Sequence, residues 1–236
     1  MSLTEQLLRP LLRTASARPL ITHYDHATGS RVELSVATLA NWAAKTANWL
    51  TEEVDIEPGD KVAVHLPAHW QTAGILLGAW WCGAHVVEEV EDARIVFVGP
   101  EEKIQTQTTT AIVSLNPMGL GLSEVPSGNA VDFLTEVRIA GDDFQSYQPI
   151  PGNTPALLSL SVDELLVAAR DSAALHKISS SDRVLSTMDW TLPSGVIQTL
   201  LATIAAGAHL VQISNPDKEK LINCRQSERT TVELID

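Results

Sequence analysis

The chain contains 236 residues, of which 44% are hydrophobic and 19% are charged, and its formal net charge is −13. This size and composition are typical of one α/β domain or two small lobes, and they exclude a largely disordered chain. The negative charge argues against a nucleic-acid partner and against an anionic membrane surface, because both need clustered lysine and arginine.

Cys82 and Cys224 are the only cysteines, and neither lies in a cysteine–histidine pattern that would bind zinc. We therefore predict no metal site. The N-terminal residues lack the basic flank and apolar core of a signal peptide, and the longest apolar run, residues 73–81, is too short to cross a bilayer. These features predict a cytoplasmic protein that does not contact a membrane.

The first part of the chain alternates between strands and helices. Apolar residues at helical spacing predict an amphipathic N-terminal helix, Ser35 is a helix cap, and Pro67 ends a strand. The predicted elements are a helix over 3–13, a hairpin over 20–34, a helix from Ser35, a strand over 61–66, a helix over 69–82 and strands from His85 and Arg94. A strand, a crossover helix and a second strand predict a parallel, right-handed unit.

The rest of the chain begins with a less periodic segment. Residues 99–155 are rich in glycine, proline and asparagine, and they predict an irregular connector with short strands at 111–115 and 131–139. Ser161 and Glu164 then form a capping box at the start of a helix. The later predicted elements are a strand over 184–188, a loop over 189–194, a helix over 195–206, a strand over 209–213, a helix from Pro216 and a strand over 230–235.

Three short sequences recur along the chain at nearly constant spacing. The pairs are Leu34-Ser35-Val36 with Leu160-Ser161-Val162, Asp60-Lys61-Val62 with Asp182-Arg183-Val184, and Gly83-Ala84-His85 with Gly207-Ala208-His209, at offsets of 126, 122 and 124 residues. They indicate an internal repeat with copies at 34–87 and 160–211. We predict an α/β fold of two pseudo-repeated βαβ lobes with mostly parallel sheets. The expected boundaries are 1–98, 99–155 and 156–236.

Ligands of open α/β sheets favour the carboxyl ends of strands, which gives one candidate pocket in this chain. Its residues would be His65, His69, Trp70, Asp189, Trp190, Thr191 and Ser194. The simpler interpretation is that these are ordinary strand-end loops. His85 and His209 occupy equivalent places in the two copies, and an inherited structural position explains them better than a ligand pair does.

Several motifs resemble the N-terminal part of acyl-adenylate-forming enzymes, the superfamily of acyl-CoA synthetases, peptide adenylation domains and luciferases. They are Leu34-Ser35, residues 58–64, Leu77-Gly78-Ala79, Cys82-Gly83-Ala84, Asp182-Arg183-Val184-Leu185 and Ala206-Gly207-Ala208. Residues 115–122 resemble a group of short, truncated relatives. The resemblance implies the layered fold of that N-terminal domain.

The chain departs from this family at the positions that carry its chemistry. The family binds the triphosphate of ATP with a glycine-rich loop and a lysine, because charge develops on the phosphoryl group. Residues 156–161 occupy that place without a glycine or a lysine, and Thr191 and Leu192 replace a Phe-His pair. The family's adenine-binding, metal-coordinating and C-terminal motifs would all follow Asp236.

These departures predict a degenerate adenylate-forming domain, a non-catalytic pseudoenzyme that needs no cofactor and serves as a binding or interaction module. The alternative is an enzyme, or an AMP- or acyl-binding protein, with a pocket repurposed at the strand ends. A third interpretation is a purely structural partner, in which a homodimer covers an exposed sheet edge or apolar face. The expected partner is a small molecule or an acyl group.

Overall fold

The computed structural model describes residues 1–104 and 106–235. Its helices are α1 (Leu3–Ala15), α2 (Val36–Glu53), α3 (Trp70–Cys82), α4 (Phe133–Val137), α5 (Val162–Leu175), α6 (Ser194–Val196), α7 (Ala202–Ala206) and α8 (Lys218–Glu228). Its strands are β1 (Pro19–Asp25), β2 (Ser30–Ser35), β3 (Lys61–His65), β4 (His85–Val87), β5 (Ile95–Val98), β6 (Thr109–Ile112), β7 (Ala130–Asp132), β8 (Pro155–Leu157), β9 (Leu160–Ser161), β10 (Arg183–Ser186), β11 (His209–Ser214) and β12 (Val232–Leu234).

Equivalent residues begin and end the helices of the two repeat copies. The hydroxyl oxygens of Ser35 and Ser161 accept backbone N–H groups at the N-termini of α2 and α5. Gly83 and Gly207 end α3 and α7 in the left-handed conformation, which glycine adopts without a steric penalty. The predicted α/β class, with two mostly parallel sheets, is confirmed.

The two sheets exchange hairpins between the repeat copies. The strand order is β12-β10-β11-β1-β2 in sheet A and β7-β6-β5-β3-β4-β8-β9 in sheet B. Thus the hairpin β1–β2, which precedes the first copy, extends the sheet of the second through the parallel pair β1–β11. The hairpin β8–β9 precedes the second copy and extends the sheet of the first through β4. Each sheet therefore contains strands from both halves of the chain.

One hydrophobic core lies between the inner faces of the two sheets and the helices that pack on them. Helices α1, α2, α3, α5 and α7 contribute buried residues to it, and α3 is buried on nearly every side. Helix α8 covers the other face of sheet A through Leu221 and Cys224. None of the helices in the described residues combines the length and apolar character needed to cross a membrane.

Two predicted elements differ in type from the observed ones, and the strand expected over 111–115 is shifted to Thr109–Ile112. The strand expected over 131–139 ends at Asp132, because the carboxylate of this residue accepts the backbone N–H of Thr135 at 3.4 Å and caps α4. The helix expected over 195–206 consists of α6, a π-helical segment over Ile197–Leu201 and α7. Such π-helical turns widen a helix locally and are frequent near functional sites.

Candidate functional site

A crevice lies at the carboxyl ends of β3, β10 and β11 and contains two adjoining cavities. The histidine cavity, of about 580 Å³, is lined by His23, Asp25, Thr28, Ser30, Pro67, Ala68, His69, Leu115, Pro117, Thr187, Asp189, Ile213, Ser214, Asn215 and Pro216. The tryptophan cavity, of about 530 Å³, is lined by Val64, His65, Leu66, Pro67, Glu88, Asp189, Trp190, Thr191 and Leu192. Pro67 and Asp189 line both cavities and mark their boundary.

Two buried imidazoles form the wall of the histidine cavity. His23 comes from β1 and His69 is the N-cap residue of α3, and their rings meet edge to face with centroids 4.3 Å apart. The two side chains come from segments of different sheets. Parallel pairing of β1 with β11 brings His23 to the carboxyl edge of sheet A, where it faces the loop that follows β3.

The hydrogen bonds of the two rings assign their protons. The hydroxyl of Ser214 donates to the carbonyl of Ala68 at 3.1 Å, so its oxygen accepts the Nε2–H of His23 at 2.9 Å. Nδ1 of His23 is therefore an acceptor, and it is buried without a hydrogen-bond partner among the described residues. Nδ1 of His69 accepts the backbone N–H of Gln71 at 3.1 Å, which places the proton of His69 on Nε2.

Both imidazoles are uncharged at neutral pH. Burial lowers the pKa of His23 to about 4, although the negative charge of Asp25 opposes the shift. Burial, and after it the neighbouring His23, lowers the pKa of His69 to about 3. The ring pair therefore contributes hydrogen-bonding atoms to the cavity but no positive charge.

Two carboxylates complete the polar wall of the histidine cavity. Asp25 accepts hydrogen bonds from the backbone of Ala27, the hydroxyl of Thr28 and the amide of Asn215, at 2.8–2.9 Å. Partial burial alone would raise the pKa of Asp25, but these hydrogen bonds, that of Asn215 first, lower it below its usual value. Asp189 is exposed, and its carboxylate has no hydrogen-bond partner in the described part of the chain.

The ring nitrogens of His65 and Trp190, in the wall of the tryptophan cavity, are occupied by contacts within the chain. Nε2 of His65 lies 2.6 Å from the carbonyl oxygen of Glu88, and its Nδ1 lies 3.5 Å from a carboxylate oxygen of Glu102. Trp190 is buried, and its indole N–H donates to the side chain of Gln212 at 3.1 Å. These contacts fix the positions of the two rings in the cavity wall.

The structure brings together five of the seven residues of the predicted pocket, in two cavities instead of one. His65, Trp190 and Thr191 line the tryptophan cavity, His69 lines the histidine cavity, and Asp189 belongs to both. The other two, Trp70 and Ser194, line neither cavity. Trp70 is buried against Trp42 at a centroid distance of 5.3 Å, and Ser194 is exposed in the first turn of α6.

Sequence reasoning did not find His23 and Asp25. Both lie on β1, and the residues that bring them to the crevice belong to β11, nearly 190 positions later. The only local signal is a run of polar residues at the end of a predicted strand. That signal gains meaning only when the pairing of β1 with β11 is known.

His85 and His209 have matching structural roles. Each is the first residue of its strand. Nε2 of each ring makes a hydrogen bond to the neighbouring strand of the sheet or to the turn that follows that strand. The partner is the carbonyl of Leu158 for His85, at 2.6 Å, and the hydroxyl of Thr22 for His209, at 2.8 Å. Both rings therefore make structural contacts, and neither lines the two cavities.

A tight turn stands where the resemblance places a phosphate-binding loop. Leu158 and Ser159 alone connect β8 to β9, whose residues Leu157 and Leu160 are paired. The backbone N–H of Leu158 donates to the carbonyl of Val86 at 2.9 Å, and its carbonyl receives the hydrogen bond of His85. The polar backbone groups of Leu158 are thus used within sheet B.

The charge of the crevice is negative. Asp25, Asp189 and Glu88 are its carboxylates, and no lysine or arginine among the described residues lines either cavity. Within the described ranges, no group of three His, Cys, Asp or Glu side chains could hold a metal ion. The crevice therefore favours neutral or positively charged ligands over phosphates.

Solved structures that resemble this chain include acyl-CoA synthetases and a benzoate CoA ligase. The acyl-CoA synthetase of Brucella canis matches with a TM-score of 0.78 and 15% identity, over 100% of this chain and 47% of that one. The acetoacetyl-CoA synthetase of Streptomyces lividans matches with a TM-score of 0.78 and 16% identity, over 100% and 42%. The N-terminal domain of FACL13 from Mycobacterium tuberculosis matches with a TM-score of 0.70 and 15% identity, over 98% and 61%. The chain therefore has the fold of the N-terminal domain of adenylate-forming enzymes, and it spans about half the length of the two complete synthetases.

A sequence relative shows the family. The chain is 39% identical over 241 residues to a TIGR03089 family protein of Mycobacterium tuberculosis (strain ATCC 25618 / H37Rv), covering 98% of this chain and 97% of the relative. No protein-family model matches the chain. The chain belongs to the TIGR03089 family.

Proposed function

We propose that this chain is a small-molecule-binding module that uses the scaffold of the adenylate-forming enzymes without activating carboxylates. The observation that carries the proposal is the charge of the crevice. Three acidic residues line the crevice, and no lysine or arginine among the described residues lines it. His23 and His69, whose pKa values are lowered by burial, are uncharged near pH 7. A bound triphosphate would meet repulsion there, and phosphoryl transfer would lack the cations that stabilise its transition state.

The turn between β8 and β9 supports the same conclusion. A phosphate-binding loop offers several free backbone N–H groups to the anion. The turn here has two residues, and the N–H of Leu158 is already bonded to Val86. A change of side chains alone would not restore such a loop, because the backbone is too short to surround a phosphate group.

Carboxylate-dependent ATP–pyrophosphate exchange tests the loss of adenylation. The purified chain would be assayed with a panel of fatty, aryl and amino acids, and an active acyl-CoA synthetase would serve as the positive control. We expect no exchange above the protein-free background. Exchange that depends on this chain and on one of the carboxylates would refute the proposal.

A second candidate function, an enzyme with a repurposed site, is favoured by one observation. Asp189 is an exposed carboxylate common to both cavities, and none of its oxygens is used in a hydrogen bond with the described residues. A low pKa makes His69 a weak base, so Asp189 would be the acid–base residue of such an enzyme. In a screen with hydrolase and lyase substrates, turnover that Asp189→Ala abolishes without a change in unfolding temperature would favour this candidate.

A further inference from the structure

The histidine cavity is lined by hydrogen-bond acceptors whose capacity the described residues do not fill. Asp189 offers free carboxylate oxygens, Asp25 is a second carboxylate, and Nδ1 of His23 is an unpartnered acceptor within the described residues. The proton that the Gln71 contact places on Nε2 of His69 makes this atom the ring donor of the cavity wall. A ligand that satisfies these acceptors must itself donate hydrogen bonds.

The lining also determines the charge and polarity of the ligand. The carboxylates are not neutralised by any lysine or arginine of the described lining, so a positive charge in the cavity would be stabilised. Leu115, Pro117 and Ile213 provide an apolar surface in the same cavity. A volume of about 580 Å³ lies within the range of small-molecule sites.

We propose that the histidine cavity binds a small organic cation, a protonated primary amine that carries an apolar group. The inference rests on the proposed function, because it specifies the ligand class of the same binding module. The ammonium group donates hydrogen bonds to the carboxylates of Asp189 and Asp25. The apolar group packs against Leu115 and Ile213.

A metal ion and an anionic ligand fit this cavity less well. No cluster of three metal-ligating side chains exists among the described residues, which argues against a divalent cation. An acyl carboxylate or a phosphate would add a third negative charge to those of Asp25 and Asp189. A charge-assisted contact between ammonium and carboxylate is the stronger arrangement in a partly enclosed cavity.

Three probes of similar shape and different charge test the inference. Phenethylamine, 2-phenylethanol and 3-phenylpropanoate would be titrated into the intact chain at pH 7 and followed by calorimetry and thermal unfolding. We expect phenethylamine alone to bind and to raise the unfolding temperature. Equal binding of 2-phenylethanol, or preferential binding of 3-phenylpropanoate, would overturn the assignment of a cation.

Two variants and one spectroscopic measurement locate the site. Asp189→Asn should weaken phenethylamine binding about tenfold, because an amide carries no charge to pair with the ammonium. Asp171→Asn, an equivalent change at an exposed position of α5, should leave binding unchanged. In NMR spectra, the ring signals of His23 and His69 should shift on binding, whereas those of His176 should not.

The outcomes separate this inference from the proposed function. No amine binding, or unchanged binding by Asp189→Asn, overturns the amine site even if ATP–pyrophosphate exchange is absent. Measurable exchange refutes the loss of adenylation whether or not the amine binds. Asp189 is exposed and has no hydrogen-bond partner in the described residues, so the Asp189→Asn chain should fold and each result should be interpretable.

Discussion

The imidazole of His23 meets that of His69 at a centroid distance of 4.3 Å, although β1 carries one ring and the segment after β3 carries the other. The contact joins sheet A to sheet B at the crevice. A hydrogen bond of 3.1 Å also links the two segments: the hydroxyl of Ser214 on β11 donates to the carbonyl of Ala68 in the loop before α3. Uncharged imidazoles thus add one contact between the two sheets to those made by the hydrophobic core.

Acidification should destabilise the fold before the carboxylates titrate. The folded-state pKa values of His23, His69 and His209 are about 4, 3 and 4, below the unfolded value of about 6.5. The unfolded chain therefore binds more protons below pH 6.5, and stability present above that pH is lost as the pH falls towards 4. We expect a loss of about 2 kcal/mol for each buried imidazole by pH 5.

Urea unfolding between pH 7.5 and 4.5 would measure this dependence. In His23→Asn, the free energy of unfolding should be lower at pH 7.5 but should fall less steeply with acid. An equally steep decline in the variant would show that other groups cause it. A constant free energy across this range would contradict the lowered pKa values altogether.

Removal of the Glu228 carboxylate should destabilise the contact between α8 and sheet A. Glu228 is 5% exposed, accepts the hydroxyl of Tyr24 at 2.6 Å and is paired with Arg31 and Arg183. We expect Glu228→Ala to cost about 3 kcal/mol, because two arginines would lose their buried partner. Glu233→Ala is the matched control, since the pair of Glu233 with Arg225 is largely exposed and should contribute less than about 1 kcal/mol. Equal losses of unfolding free energy would contradict this interpretation.

The contact between α2 and α3 depends on the absence of a side chain at Gly78. A Cβ atom there would lie 2.4 Å from Cβ of Thr46 and 2.7 Å from the carbonyl oxygen of Ala43. We expect Gly78→Ala to lower the free energy of unfolding by about 2 kcal/mol, since the helices would have to separate. Gly74→Ala, one turn earlier, meets its nearest atom, Cβ of Trp42, at 3.3 Å, and its better helix propensity should offset that contact. Similar thermal unfolding of the two variants would be evidence against tight packing at Gly78.

The repeat could be predicted from short sequences, but the exchange of hairpins could not. Ser35 and Ser161 each cap a helix, and Gly83 and Gly207 each end one, because caps and turns depend on local backbone geometry. The pairing of β1 with β11 depends on contacts between distant segments. The sequence therefore does not predict Asp25, which has no local motif. Trp70, predicted in the pocket, packs its ring inward against Trp42.

Fragments divided before β8 should not fold independently. Residues 1–151 lack the hairpin that extends sheet B beyond β4, and residues 152–236 lack the one that extends sheet A beyond β11. We expect each fragment alone to give the circular dichroism of a largely unfolded chain, and the mixture to recover the native spectrum. A cooperative unfolding transition in either isolated fragment would show that the hairpin exchange is not needed for folding.

The exchange also constrains the order of events during synthesis. Leu210, the partner of Ile21, leaves the ribosome 189 residues later, a delay of about 10 to 40 s at ordinary elongation rates. Until then Leu20 and Ile21, each 1% exposed in the final structure, have no sheet to join. The nascent chain thus carries an unpaired apolar strand edge throughout this interval, and an unpaired edge of this kind favours aggregation.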